Sequence, residues 1–107
     1  MAYYLVTARP LVDRLDDLKA RLMEHAFRDL EPFGRALTAS LEAARRLPDG
    51  TAVWEEEDYC RPPLAQERAA VLDRYFEGLS VEPVERGSGW QRIAELPPLF
   101  PTLVTAP

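Results

Sequence analysis

The chain has 107 residues, which is room for one domain with a single core and not for two. Hydrophobic residues make up 47% and charged residues 29%, the balance of a chain that folds, and no stretch reaches the ~18 uninterrupted apolar residues of a membrane span. Eighteen acidic against thirteen basic side chains leave a net charge of −5; that field repels phosphates and anionic lipid heads, so nucleic acid and membranes are not expected partners.

Residues 3–8, YYLVTA, are a β-rich apolar run stopped by Arg9-Pro10. They lack polar alternation, which predicts a central strand covered on both faces. A first helix follows from Pro10, with Leu11, Leu15, Leu18 and Leu22 at helical spacing and Asp13, Asp16 and Asp17 at its positive end. Residues 32–46 read two ways. As a helix they align Phe33, Leu37, Leu41 and Ala44 on one stripe; as a strand they align Leu37, Ala39, Leu41 and Ala43 and enter a Pro48-Asp49-Gly50 turn. Propensity and the Glu31/Arg35 and Glu42/Arg46 pairs favour the helix.

Residues 51–55 then form a strand weighted by Val53 and Trp54, and Pro62-Pro63 opens a helix expected to run to about Glu77 with Gly78 as its stop. Residues 79–84 are a short strand demoted to an edge by Pro83. Residues 88–107 are a Trp- and Pro-rich extension in which Trp90, Ile93 and Leu96 share a helical face before the prolines force an extended path. The order β-α-(α or β)-β-α-β is α+β in either reading, and the strand alternative is the ferredoxin-like βαββαβ plan.

Cys60 is the single cysteine and cannot form an internal disulfide, and the start MAYYLVTARP lacks a basic n-region, so a cytoplasmic protein is expected. The absence of Asn, the ten prolines and the twelve Arg against one Lys suit a thermophile and a GC-rich bacterial genome equally.

The densest polar constellation is residues 54–60, WEEEDYC. Glu55, Glu56, Glu57 and Asp58 repel one another, and burial would raise some of their pKa values toward general-acid or hard-cation chemistry; the plainer expectation is a solvated strand end. On a strand at most two of the four can converge, so no metal site and no cofactor are expected. Cys60 sits before a helix start beside Arg61, which favours thiolate, while the carboxylates oppose it. Tyr59 can donate or accept a proton. His25, the only histidine, lies near the end of the first helix, where a boundary residue is the ordinary reading.

The strand order and the position of His25 resemble the YciI-like dimeric α+β barrel proteins, small bacterial proteins of the ferredoxin-like type. In them a histidine near the end of the first helix pairs with an aspartate in the following strand. Here residues 33–44 contain no aspartate. Residues 54–76, WEEEDYCRPPLAQERAAVLDRYF, also resemble a block found in small bacterial proteins. The resemblance implies a homodimer. The sequence reading is accordingly a non-catalytic interaction or structural module forming a homodimer through apolar tail residues such as Leu96, Leu99 and Phe100. The alternative is a small enzyme or small-molecule binder whose pocket combines His25, Glu55, Glu57, Asp58, Tyr59 and Cys60.

Overall fold

The computed structural model describes residues 2–101 and 103. Tyr3, Tyr4, Val6 and Thr7 give the first strand, β1 (Ala2–Pro10), its β-branched and aromatic weight. It has few exposed positions because it lies between β3 (Ala52–Asp58) and β4 (Phe76–Val84), antiparallel to both. A two-residue strand, β2 (Arg45–Arg46), pairs with the start of β3 and completes the sheet order β2-β3-β1-β4. The class is α+β, as expected. The helices are α1 (Leu15–Met23), α2 (Gly34–Glu42), α3 (Ala65–Ala70) and α4 (Ser88–Arg92). No helix among the described residues is long and apolar enough to cross a membrane.

The two readings of residues 32–46 resolve toward helix, with a remnant of strand. Leu37 and Leu41 are fully buried in α2, and the Thr38 hydroxyl donates to the Gly34 carbonyl at 2.6 Å, as a β-branched residue does when it sits inside a helix. The chain then straightens for only Arg45 and Arg46. Beyond Val53, β3 therefore has no strand on its outer side. α2 covers that edge instead, and the Ser40 hydroxyl donates to the Glu55 carbonyl at 2.9 Å.

Three expectations need correction. Pro10 ends β1, paired with Phe76, and does not open the first helix, which begins with a 3-10 turn at Val12–Arg14 and continues as α1 from Leu15. The helix after Pro62-Pro63 does not reach Glu77: α3 ends at Ala70, a 3-10 turn covers Leu72–Arg74, and β4 begins at Phe76. Tertiary packing overrides local pattern here, because Phe76 stacks against Trp54 with ring centroids 5.2 Å apart and Tyr75 meets Phe27 edge-on at 6.4 Å. Gly78 is consequently no helix stop. It sits at φ +62° inside β4, where the pairing with β1 shifts register between Thr7 and Arg9, and supplies the positive φ of a β-bulge.

One sheet face packs Val6, Ala8 and Trp54 against Leu18, Leu22, Leu37, Leu41, Leu64 and Leu72. The other carries a smaller cluster of Leu5, Val53 and Ile93, with Trp90 and Leu96 laid over it. The tail returns beside β2: Arg46 N–H donates to the Pro97 carbonyl and Leu99 N–H to the Ala44 carbonyl, both at 2.8 Å. Phe100 is buried, and Leu96 and Leu99 pack on the core clusters.

Candidate functional site

Strand periodicity divides the acidic run. On β3 successive side chains point to opposite faces, so Glu55 and Glu57 share one face while Glu56 and Asp58 join Trp54 on the other. The expected solvated strand end is not what forms: Glu55, Glu56 and Asp58 are buried and only Glu57 is half-exposed. The strand lies mid-sheet, with β1 on one edge and helices over both faces, and this encloses residues that local polarity would place in water.

Glu55 belongs to the α4 side. Its carboxylate accepts the N–H groups of Gly87 and Gly89 at 2.8 Å and of Trp90 at 3.3 Å, which ties the start of α4 to the sheet. Gly89 permits this approach, since a Cβ there would stand 2.9 Å from the Glu55 carboxylate oxygen. Glu57 accepts the hydroxyls of Tyr59 at 2.6 Å and Tyr3 at 3.3 Å. That carboxylate pushes the exposed Tyr59 phenol above its ordinary value. His25 is exposed at φ +59° just past α1 and lies outside the cleft described next.

At the junction of β3 and α3 a cleft of about 300 Å³ opens between the start of α2 and the turn, lined by Phe33, Arg35, Asp58, Tyr59, Cys60 and Glu67 among others. Asp58 shapes the turn: one carboxylate oxygen accepts the Leu64 N–H at 2.6 Å and the Cys60 N–H at 3.1 Å, holding Leu64 at φ +64° ahead of α3. Glu67, one turn into α3, is completely buried and meets the carboxyls of both Asp58 and Glu56. Glu56, 1% exposed, accepts the Trp54 indole N–H at 2.9 Å.

Three carboxyl groups thus run in sequence, Glu56 to Glu67 to Asp58. No Lys or Arg among the described residues pairs with any of them. Among the described residues one oxygen of Glu56 and one of Glu67 are buried with no N–H or hydroxyl donor, so a carboxyl proton or a cation has to satisfy them. Carboxylate oxygens facing one another must hold protons or a cation between them.

Without a cation the protons distribute unequally. Burial, reinforced by the bond to Asp58, lifts Glu67 to about 7. Burial above all raises Glu56 well above the carboxylate range, the Trp54 donor pulling the other way and the Glu67 charge adding to it. Burial also pushes Asp58 up, but the Glu67 proton and the N–H groups of Leu64, Cys60 and Tyr59 outweigh it and leave Asp58 below its ordinary value. A Gln66 N–H draws the Cys60 thiol down; burial and the facing carboxylates of Asp58 and Glu67 more than offset it, and the thiol ends raised. Cys60 offers its S–H to Glu67 across 3.8 Å, and Asp58, Cys60 and Glu67 each present one ligand atom within 4.8 Å of the others.

The chain matches no protein-family model, no curated protein and no solved structure. Of the residues expected to form a pocket, Glu57, Asp58, Tyr59 and Cys60 line the cleft, whereas Glu55 serves α4 and His25 is elsewhere. Glu67 was absent from the expected set. Its signal was present: Leu64, Glu67 and Val71 follow i, i+3, i+7 spacing, which puts a carboxylate in the middle of an apolar stripe. Glu56 was marked in the same way by sharing the Trp54 face.

Proposed function

We propose that this chain is a small-molecule-binding protein with an enzyme-like site, whose ligand brings positive charge or hydrogen-bond donors to the carboxyl floor of the cleft between α2 and α3. The observation that carries this reading is the fully buried Glu67 in the wall of an open cleft, its carboxyl joined to those of Asp58 and Glu56 with no Lys or Arg paired to any of the three among the described residues. Burying ionisable groups with no counter-charge costs a few kcal/mol each, and a domain of this size has little stability to spare. Polar groups left in that state cluster at functional sites. An interaction module built on the apolar tail is less well supported, because Leu96, Leu99 and Phe100 pack on their own domain.

The test is an amide-resolved NMR titration of the chelator-treated chain with ethylamine, guanidinium and a short diamine, with acetate as the comparison. The reading expects the amides of Tyr59, Cys60, Gln66 and Glu67 to shift with the cations and not with acetate, and Glu67→Gln to weaken the response by about tenfold. Shifts spread evenly over the acidic surface, or none at these amides, refute it.

A further inference from the structure

We propose that Asp58, Cys60 and Glu67 hold one borderline-soft divalent cation of the zinc type at the foot of the cleft, with a coordination position left open toward the cleft. The proposal rests on the reading of this cleft as a ligand site and names the charge that fills it.

Geometry brings the donors together from three places in the chain. Asp58 ends β3, Cys60 lies in the turn and Glu67 stands on α3, and their ligand atoms fall within 4.8 Å of one another. Ligands bound tetrahedrally at ~2.0–2.3 Å lie ~3.3–3.7 Å apart, so closure asks for side-chain movements of about 1 Å. The Cys60 and Leu64 N–H groups both go to one Asp58 oxygen, so those two bonds can be kept when the other oxygen turns to a cation in place of the Glu67 proton.

Outside that trio, Glu56 is 1% exposed and bonds the Glu67 carboxyl, and one oxygen of each is buried with no N–H or hydroxyl donor among the described residues. A dication satisfies Glu67 directly, while protonated Glu56 accepts from Trp54 at one oxygen and donates from the other to the ligating Glu67 carboxylate. Arg35 lines the same cleft, but among the described residues no Lys or Arg forms an ion pair with these carboxyls.

The donor set selects the metal. A thiolate with two carboxylates suits zinc or cobalt, whereas calcium needs 6–8 oxygens and magnesium near-octahedral oxygen ligands that this corner does not supply. Three protein ligands facing a cleft of about 300 Å³ are the arrangement of a site where a fourth ligand exchanges.

The experiment is metal titration of the full chain after chelator treatment and dialysis, with zinc, cobalt and magnesium. One zinc per chain by equilibrium dialysis is expected, with no magnesium at the same concentration. The cobalt adduct should show a thiolate-to-cobalt charge-transfer band in the near ultraviolet and the strong visible bands of tetrahedral cobalt. Cys60→Ser should abolish the charge-transfer band and Glu67→Gln should weaken zinc by roughly 10–100-fold, both with circular dichroism of the parent, while His25→Ala changes neither. Absence of stoichiometric zinc, or zinc affinity unchanged in both cleft variants, overturns the metal. If zinc fails while the cleft amides still respond to amines, the metal is wrong and the ligand site stands; if neither binds, both fall.

Discussion

Replacing Glu67 by Gln keeps the shape of the side chain and gives Asp58 a permanent amide donor in place of a shared proton. The consequence depends on pH. In the folded chain burial and Asp58 raise Glu67 from the usual 4.5 to about 7, so between those values the folded state keeps a proton that the unfolded chain has lost. Stability from this group is therefore complete below the unfolded value and drains away as pH climbs through about 7. At ~1.4 kcal/mol per tenfold change in proton affinity the full difference is roughly 3 kcal/mol; the adjoining cleft admits water, which reduces the working figure to about 2 kcal/mol. Measured by urea unfolding in the presence of chelator, the parent should lose about that much between pH 5 and pH 8. Glu67→Gln should match it near pH 5 and exceed it at pH 8, by on the order of 10 °C in melting temperature for a domain this small. Parallel pH profiles of the two proteins, with any constant offset, would refute the assignment of the buried proton to Glu67.

Three further outcomes follow from the packing. Trp54→Phe removes the protein donor to Glu56 as well as ring volume, and should cost about 2–4 kcal/mol by urea unfolding, with most of the loss persisting at every pH. Gly89→Ala drives a methyl group against the Glu55 carboxylate and Leu5; hydrogen exchange should speed at the Gly87, Gly89 and Trp90 amides while the amides of β1 stay protected. Gly34→Ala puts a Cβ into the carbonyls of Phe27 and Arg28, so a loss of about 1–3 kcal/mol is expected without change in the cleft amides, and an unchanged melting temperature contradicts the close approach of the loop to α2.

Much of the architecture was written in local pattern. The apolar run of β1 and the leucine spacing of α1 each followed from residue types at fixed intervals. The end of α3 did not, because Tyr75 and Phe76 suit a helix stripe and a strand equally, and only their contacts with Phe27 and Trp54 decide between them. The acidic run was legible as a place and not as an environment. Four carboxylates in a row ordinarily seek water, yet whether β3 lies mid-sheet or at an end depends on β1 and the helices, which are distant in sequence. Alternation on β3 did foretell that only two of the four could converge. It could not supply Glu67, which reaches the same corner from the next helix.

The position of these carboxyls argues for selection on something other than stability. Glu56 and Asp58 share a sheet face with the fully buried Trp54, and Glu67 occupies a stripe between two buried residues, Leu64 and Val71. An apolar side chain at 67 would fit the stripe and remove its desolvation penalty, as exchange of buried charged groups for apolar ones has often stabilised other proteins by 1–4 kcal/mol. Asp58 has a structural task that apolar residues cannot perform, holding the Cys60 and Leu64 N–H groups, and Glu56 accepts the buried Trp54 indole N–H, which an uncharged amide would serve equally. Among the described residues Glu67 holds no backbone or indole N–H of another residue and meets only Cys60 and the two other carboxyls. Retaining two costly acids where an amide at 56 and leucine at 67 would serve is the trade a binding site makes against its own fold.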